Sequence, residues 1–428
     1  MKITKIIVPS REPRSSFTQK ASLVKQTVLL LSIYPYVHPQ HGGQIRLANI
    51  ARTYESAGWQ VYSIAAYDAR SYDCQSVGPH DVTFPLEGDW RQFHGQWIPY
   101  IDDLLTGVYA ESDNGGFPLI MKKVPHQIDV IHVEQPWLWW LARKIQSARS
   151  QTEIVLIYGS QNIETILKRE TFSSYGIYNE EVINTIEGLE QQAAQEADLT
   201  LAVTQSDADL LSLYGVKRML VAPNGIEPWY AKDDVIERWR QVLPKSPWLF
   251  YVASAHPPNF TGFTKALGNS LAFIPPDSRL VIAGGVSEHI DRAMKETRWH
   301  HLNASRIQLL YILSENDLAA VKELAHVFLL PISQGGGSNI KTAEAIYSGS
   351  YVVGTRLAFR GYEHLIHLPE IAIADTPLEF RSAIQSALQR PPLSKVEKNA
   401  DRQSLIWEKC LPAIPKHVEL IRREKYGK

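Results

Sequence analysis

Short runs of apolar residues alternate with amphipathic segments along most of the chain. Residues 27–35 (TVLLLSIYP) predict a buried strand, and the loop HPQHGGQ separates it from residues 44–58, whose apolar positions recur with helical spacing. A second apolar run follows at residues 60–66. A strand, a glycine loop, a helix and a further strand in this order are typical of a parallel sheet that is covered by helices.

The same alternation restarts in the second half of the chain, and the two α/β halves meet near residues 225–245. Each half is typical of a doubly wound sheet, whose ligands bind at the carboxyl ends of the strands. Residues 68–125 are rich in Gly, Pro and Trp, and we expect loops with one short helix there. The remaining strands are predicted at residues 128–133, 153–159, 199–203, 248–254, 279–285, 307–312, 327–332 and 351–355.

Composition narrows the classes of function. The 428 residues include 44 Lys and Arg against 45 Asp and Glu, a balance that argues against a nucleic-acid binder. No apolar run approaches the roughly 18 residues of a membrane-spanning helix. Cys74 and Cys410 lie too far apart for a disulfide framework, so a reducing compartment and a cytoplasmic location are expected. Residues 1–26, with six basic residues and one acidic residue, predict either a solvated tail or a patch attracted to anionic lipid.

The densest candidate site is PISQGGGSNIKTAEAIYSGSYVVGT, residues 331–355. Three glycines allow a ligand to approach the backbone, and Ser338 is predicted to cap the helix that follows. The start of that helix favours an anion, and Lys341 can reach back to the same place. Glu344 follows on the same side of the helix. A phosphate with a sugar attached would suit this set, although a glycine-rich turn before a helix is also common as plain structure.

Further polar groups follow other predicted strands. Gly42 and Gly43 follow the first strand, where a tight turn is the simpler explanation. Asn224 lies in APNGIEP, which also suits an interdomain turn. Two neighbouring strand ends place polar groups that suit sugar hydroxyls, although a histidine in such a strand is more often a core residue. These groups are His132, Glu134, Gln161, Asn162 and Glu164.

Several alternative sites are disfavoured. Ile340 stands where a P-loop needs glycine before its lysine, and no Gly-x-Gly-x-x-Gly fingerprint follows a strand. Asp207 and Asp209 match an Asp-x-Asp metal motif. Their position in the first turn of a predicted helix is better explained by interaction with the helix dipole, so no metal ligand is predicted. The tryptophans of 137–140 predict core or interface packing, with contact to a lipid surface as the alternative.

Seven segments together resemble retaining glycosyltransferases of the two-domain GT-B architecture, in the broad family 4 group and its Gly-Gly-Gly-Ser-x-x-Lys subgroup. The similarity spans about residues 27 to 410. The segments are HGGQIRLANIARTYESAGWQV, IDVIHVEQP, YGSQNIETILKRE, TQSDADLL, APNGIEP, VASAHPPNFTGF and PISQGGGSNIKTAEAIYSGSYVVGT.

The resemblance implies an α/β fold of two Rossmann-like doubly wound parallel-sheet domains that face each other across a cleft. The domains are then a basic extension at 1–26, an acceptor domain at 27–228, a nucleotide-sugar domain at 229–405 and a helix at 406–428 that returns to the first domain. It implies a nucleotide-sugar-dependent, hexosyltransferase-like enzyme that needs no metal or other cofactor. The acceptor would be a glycan, a lipid-linked glycan or another small molecule, as in polysaccharide biosynthesis. Peripheral contact with the inner face of the cell membrane is a further expectation.

The resemblance also assigns roles to residues. Lys341, Glu344 and His132 are the catalytic candidates; the donor would contact Gly42, Gly43, Asn224, Gly335, Gly336, Gly337, Ser338 and Asn339, and the acceptor or sugar would contact Glu134, Gln161 and Asn162. Two departures stand out, because many members have Glu where Gly336 stands and His where Gln161 stands. A catalytically silent binding or scaffold protein of the same fold therefore stays an alternative, as does a sugar-nucleotide epimerase.

Overall fold

The structure, a computed structural model, describes residues 25–72, 74–149, 153–393 and 400–427. Within them the chain forms two parallel sheets, one of seven strands and one of six, each covered by helices. The α/β fold with two doubly wound domains is therefore confirmed. The basic extension predicted at residues 1–26 lies almost entirely outside the described residues.

The first sheet has the strand order β3-β2-β1-β4-β5-β6-β7, and every neighbouring pair is parallel. Its register brings the functional segments together, since Leu30 of β1 pairs with His132 of β4, and Glu134 of β4 pairs with Gly159 of β5. The strands are β1 (Thr27–Ser32), β2 (Gln60–Asp68), β3 (Val82–Phe84), β4 (Val130–Glu134), β5 (Val155–Gly159), β6 (Leu199–Ala202) and β7 (Met219–Val221).

The second sheet has the order β10-β9-β8-β11-β12-β13, again with parallel neighbours. Its central strand β11 ends directly before the glycine-rich loop, so that loop lies at the carboxyl edge of the sheet. The strands are β8 (Leu249–Val252), β9 (Leu280–Ala283), β10 (Ile307–Tyr311), β11 (Val327–Leu330), β12 (Tyr351–Gly354) and β13 (Ile371–Ile373).

Helices connect the strands and cover both sheets. Those of the first domain are α1 (Gly42–Ser56), α2 (Asp102–Glu111), α3 (Phe117–Met121), α4 (Trp139–Ala148), α5 (Glu164–Ser174), α6 (Glu180–Glu196) and α7 (Gln205–Ser212). Those that follow are α8 (Asp233–Val242), α9 (Pro257–Leu267), α10 (Val286–Lys295), α11 (His300–Ala304), α12 (Glu315–Leu324), α13 (Ile340–Ser348), α14 (Pro377–Gln389), α15 (Ala400–Gln403), α16 (Trp407–Cys410) and α17 (Ala413–Tyr426).

The central strands of both sheets are buried on both faces, which explains their continuous apolar runs. Trp137 and Trp139 are also buried in the first domain, as expected for core packing. No helix of the described residues has the length and apolarity to cross a membrane.

The end of the chain returns to the first domain. Ile226, in the link between the domains, forms a parallel bridge with Ile406, and a Cβ on Gly225 would lie 2.7 Å from the backbone nitrogen of Trp407. Helix α17 then packs against α1 and β5. The guanidinium of Arg422 pairs with Asp129 at 2.6 Å on this face. These contacts attach the C-terminal segment to the first domain and to the link between the domains.

Two local expectations were wrong. Residues 68–125 contain the edge strand β3 and the helices α2 and α3, rather than loops with one short helix. Strand β3 has only three residues, too few for a clear pattern in the sequence, and it is recognised as a strand because it pairs with β2. Helix α13 is capped by Asn339, whose side-chain oxygen accepts from the backbone nitrogen of Lys341 at 3.0 Å, and not by Ser338.

Candidate functional site

A cavity of about 720 Å³ lies where the carboxyl edges of the two sheets face each other. Side chains from both domains line it, so the cavity is the cleft between the domains. The first domain contributes Tyr100, Asp103, Gln135, Glu164, Leu167, Lys168, Glu170, Thr171, Ser174 and Tyr175. The second contributes Tyr251, His256, Pro257, Pro258, Asn259, Thr261, Leu329, Leu330, Pro331, Ile332, Gln334, Gly335, Asn339 and Lys341.

Lys341 is the cation of the second domain's wall. It lies in the first turn of α13, and its Nζ donates to Oδ1 of Asn259 at 2.7 Å. Burial lowers the pKa of Lys341 to about 8, although the charge of Glu344 acts in the opposite direction. Within the described part of the chain, Lys341 forms no ion pair. A half-buried ammonium beside the start of a helix is arranged to receive an anion.

The glycine-rich loop before α13 touches the opposite domain. Gly337 has a φ of 59°, and a Cβ there would lie 2.4 Å from the carbonyl oxygen of Gln161. A Cβ on Gly336 would lie 2.7 Å from Oδ1 of Asn162. Glycine is therefore required at this contact by space as well as by backbone conformation. The structure brings the predicted donor loop and the predicted Gln161–Asn162 turn together.

The side chain of Arg360 binds the backbone of the glycine-rich loop. Its Nε donates to the carbonyl oxygen of Gly337 and its Nη2 donates to that of Gly335, each at 2.6 Å. These two bonds fix the carbonyl groups of Gly335 and Gly337. No sequence pattern indicates this role, because Arg360 lies two elements further along the chain, after β12.

Glu164 lies on the wall of the first domain, at the first position of α5. Its carboxylate accepts from Nε2 of Gln135 at 3.0 Å. Desolvation raises the pKa of Glu164 to about 7; Lys168 opposes this shift, and the charges of Asp103 and Glu190 add to it. The buried Glu190 in turn accepts the backbone N–H of Glu164 at 2.7 Å, so it acts as a cap for α5.

A buried polar network lies below this wall. His132 is completely buried: its Nδ1 is 3.1 Å from the Tyr54 hydroxyl and its Nε2 is 3.1 Å from Oε1 of Glu134. Oε2 of Glu134 lies 3.4 Å from Nε of Arg46 and accepts from Nε2 of Gln161 at 2.7 Å. Burial alone would raise the pKa of Glu134, but Arg46 and His132 more than offset it and hold the pKa below its ordinary value.

His132, Glu134 and Glu344 are predicted site residues that do not line the cavity. His132 and Glu134 have all their side-chain polar atoms in contact with protein groups, and neither residue lines the cavity. Glu344 pairs with the buried Lys322 at 2.6 Å and also does not line the cavity. The roles predicted for these three residues stay predictions.

The glycines that begin α1 lie close to the start of α13. A Cβ on Gly42 would lie 3.5 Å from Cδ1 of Ile340, and one on Gly43 would lie 2.7 Å from the Tyr34 hydroxyl. Asn224 accepts from Nη1 of Arg46 at 3.1 Å, at the base of the cleft. The start of α1 in the first domain therefore lies close to the start of α13 in the second domain.

Sequence reasoning missed Asn259, Lys168 and Tyr100 as site residues. Asn259 lies 82 positions before Lys341, the residue it contacts, so only the folded sheet reveals the pair. Among the described residues, no three His, Cys, Asp or Glu side chains converge as a metal site would require.

Several solved structures share this architecture. Sucrose-phosphate synthase from Thermosynechococcus elongatus aligns with a TM-score of 0.67 at 17% identity, over 94% of this chain and 100% of that one. HepE from Anabaena, in complex with UDP and glucose, gives 0.57 at 15%, over 93% and 98%. The catalytic domain of starch synthase IV from Arabidopsis thaliana, bound to ADP and acarbose, gives 0.58 at 12%, over 94% and 100%. At these identities the likeness shows the fold, which is GT-B.

The class of protein follows from the fold and the family match together. Residues 41–229 match the family model described as Glycosyltransferase Family 4, which confirms the resemblance over that part of the chain. With the fold, this match supports a glycosyltransferase of GT-B type. No curated protein sequence matches it.

Proposed function

We propose that this protein is a retaining, metal-independent glycosyltransferase that moves a sugar from a nucleoside-diphosphate sugar to an acceptor held by the first domain. The observation that carries the proposal is the position of Lys341. It is a half-buried cation at the start of a helix, it forms no ion pair within the described residues, and it faces a cavity between two domains. That cavity has the size of a small-molecule site.

The diphosphate would bind at the start of α13. Lys341 and the positive end of the helix dipole would stabilise the negative charge that develops on the leaving group. A hydrogen bond from a charged donor contributes about 1.5–3 kcal/mol and a helix terminus about 0.3–1 kcal/mol. Because enzymes lower barriers by about 8–23 kcal/mol, binding and orientation of both substrates must supply the remainder. This arrangement gives the leaving group a cationic partner without a metal ion.

The relatives support a nucleotide-sugar donor. One structure holds UDP and glucose, and another holds ADP with acarbose. Retention of anomeric configuration rests on the resemblance to retaining family 4 enzymes. The acceptor would be a glycan, a lipid-linked glycan or another small molecule on the first domain's wall, with polysaccharide biosynthesis as the proposed setting.

A cytoplasmic location and peripheral membrane contact are parts of the same proposal. The cytoplasmic location rests on cysteine usage. The buried side chains of Trp137 and Trp139 offer no lipid-binding surface, so membrane contact rests on the basic residues near the start of the chain.

A thermal-shift panel of UDP-, GDP-, ADP- and dTDP-sugars tests the donor site. We expect one nucleotide class to stabilise the protein, because a ligand that binds only the native state raises its melting temperature. The stabilising donor is then incubated with acceptors. Release of nucleoside diphosphate and a product heavier than the acceptor by one sugar support transfer, and NMR of the new anomeric proton tests retention.

Different outcomes separate the alternatives. A stabilising donor that is neither hydrolysed nor transferred supports a silent binding protein. An isomerised donor without a lengthened acceptor supports an epimerase. No stabilisation by any of the four classes contradicts the proposed donor site.

A further inference from the structure

Two exposed tyrosines form a platform on the first domain's side of the cleft. The rings of Tyr100 and Tyr175 stack with centroids 4.5 Å apart and planes 24° from parallel, and both line the cavity. Their exposed fractions are 45% and 57%. The pair therefore presents aromatic surface to the cleft, where exposed aromatic rings are typical of ligand-binding sites.

The backbone of Tyr100 is held in an unfavourable conformation. Its φ of 67° lies in the left-handed region, which a bulky residue rarely adopts. The Nζ of Lys168 donates to the carbonyl oxygen of Tyr100 at 2.6 Å, and the same ammonium pairs with Asp103. Strained residues that the surroundings hold in place cluster at functional sites. Here Lys168 holds the backbone of Tyr100, and the ring of Tyr100 is held by stacking on Tyr175.

A polar floor adjoins the platform. Glu164, only 2% exposed, lines the same cavity and keeps its carboxylate in place through Gln135. Asp103, Lys168 and Glu170 line the cavity on the same side. An aromatic face beside buried and half-buried groups that donate and accept hydrogen bonds matches a ring with an apolar face and an edge of hydroxyls.

We propose that Tyr100, Tyr175 and Glu164 form a saccharide subsite for the acceptor, in which a sugar ring stacks on the tyrosine pair and a hydroxyl of that sugar binds to Glu164. This inference rests on the proposed function, since it names the acceptor of the same cleft. It favours a free or exposed sugar over a phosphate group or an acyl chain.

The charge and polarity of this wall favour a sugar over a phosphate group or an acyl chain. Three carboxylates, Asp103, Glu164 and Glu170, line this wall against one lysine, which is already paired with Asp103. A phosphate would be repelled here and would bind the opposite wall, where Lys341 lies. An acyl chain would leave the buried carboxyl of Glu164 without a hydrogen-bonding ligand, whereas a sugar hydroxyl would satisfy it.

The test is saturation-transfer NMR on the full chain with maltotriose, cellotriose, mannotriose and chitotriose as probes, each at millimolar concentration. We expect at least one trisaccharide to bind. Tyr175→Ala should weaken that binding at least fivefold, and Tyr175→Phe, which keeps the ring, should bind within about twofold of the wild type. Glu164→Gln should weaken binding by a similar or smaller factor.

Tyr178→Ala is the matched control, because Tyr178 is 94% exposed, lies three residues further on and does not line the cavity. It should bind the trisaccharide as the wild type does. Absence of binding for all four trisaccharides, or equal losses in Tyr175→Ala and Tyr178→Ala, overturns the subsite. Dodecyl phosphate serves as the acyl-phosphate probe, and displacement of the trisaccharide by it would also overturn the choice of a sugar.

Nucleotide binding is measured on the same samples by thermal shift. If a nucleotide sugar binds and no trisaccharide does, the subsite fails and the proposed function stands. If a trisaccharide binds in the expected way and no nucleotide sugar does, the subsite stands and the proposed transferase fails.

Discussion

The two walls of the cleft are built by different means. The second domain presents a loop shaped by glycines and backbone carbonyls, with a half-buried cation, Lys341, beside a helix start. The first domain presents carboxylates and tyrosines above a buried network of charged and polar side chains. The difference in charge between the two walls predicts how a charged substrate is oriented in the cleft. An anion is favoured on the second wall and disfavoured on the first.

The walls also differ in what holds them. Below the first wall, Glu134 is in contact with Arg46, His132 and Gln161, which come from α1, β4 and the turn after β5. On the second wall, the loop depends on Arg360 and on close contact with Gln161–Asn162. We therefore expect mutations to affect stability on the first wall and ligand affinity on the second.

The largest effect is expected for Glu134→Gln. This change leaves the buried charge of Arg46 without its carboxylate, and breaking a buried ion pair from one side costs about 3–5 kcal/mol. The free energy of unfolding, measured by urea titration, should fall by about that amount. Nucleotide affinity of the folded protein should change less than about twofold, because Glu134 does not line the cavity.

Glu227→Gln is the control for that change. Glu227 also pairs with an arginine of α1, Arg52, but the side chains are 52% and 64% exposed. Surface pairs of this kind contribute about 0–1 kcal/mol. A stable Glu134→Gln protein that has lost transfer activity would contradict the structural role and support the predicted contact of Glu134 with the acceptor.

The sequence alone predicted those features of the two walls that are formed by residues close together in the chain. The apolar runs predicted both sheets, and GGGSNIK predicted the loop, the helix and its lysine, although the cap is Asn339 rather than Ser338. The buried network could not be predicted, because Arg46, His132 and Gln161 meet only when the order β1-β4-β5 is known. The sequence pattern also shows a polar residue at a strand but not that the ring of His132 is completely buried, and its catalytic role stays a prediction.

Glu164 gives the next largest effect, which depends on pH. Its pKa is about 7 in the folded protein against 4.5 ordinarily, so the folded state binds more protons than the unfolded state between these values, and this carboxyl lowers stability as pH rises through them. Gln does not titrate. The stability of Glu164→Gln relative to wild type should therefore increase by about 2–3 kcal/mol from pH 4 to pH 8.

Urea titrations at four pH values measure this difference. The groups around Glu164 that also bear charge are Lys168, Asp103 and Glu190, and all are kept in the variant. Glu170→Gln, on the exposed side of the same helix, is the matched control. An equally large pH dependence in that control would contradict the assignment to Glu164.

Lys341→Ala tests the second wall directly. Loss of a charged donor should weaken nucleoside-diphosphate binding by about 1.5–3 kcal/mol, which is roughly 10- to 150-fold. Because the pKa of Lys341 is about 8, affinity of the wild type should also fall as pH rises from 7 to 9.5, whereas the variant should show little change over that range. Isothermal titration calorimetry measures both.

Lys265→Ala is the control for the lysine, since Lys265 is exposed and lines a different, smaller pocket of the same domain. It should bind nucleotide like the wild type. If Lys341→Ala and Lys265→Ala bind equally well, the cation of the second wall does not hold the diphosphate, and the electrostatic contrast between the walls loses its functional meaning.

The smallest effect is expected for Arg360→Ala, which removes both bonds to the loop carbonyls of Gly335 and Gly337. We expect nucleotide affinity to fall about fivefold, or about 1 kcal/mol, because the loop must then be ordered on binding. Hydrogen exchange of residues 334–339 should become faster in the free protein, while Arg356→Ala, which loses only an exposed pair with Asp375, should leave exchange unchanged. Weaker affinity with unchanged exchange would instead indicate that Arg360 contacts the ligand, and the second wall would then hold the diphosphate with two cations rather than one.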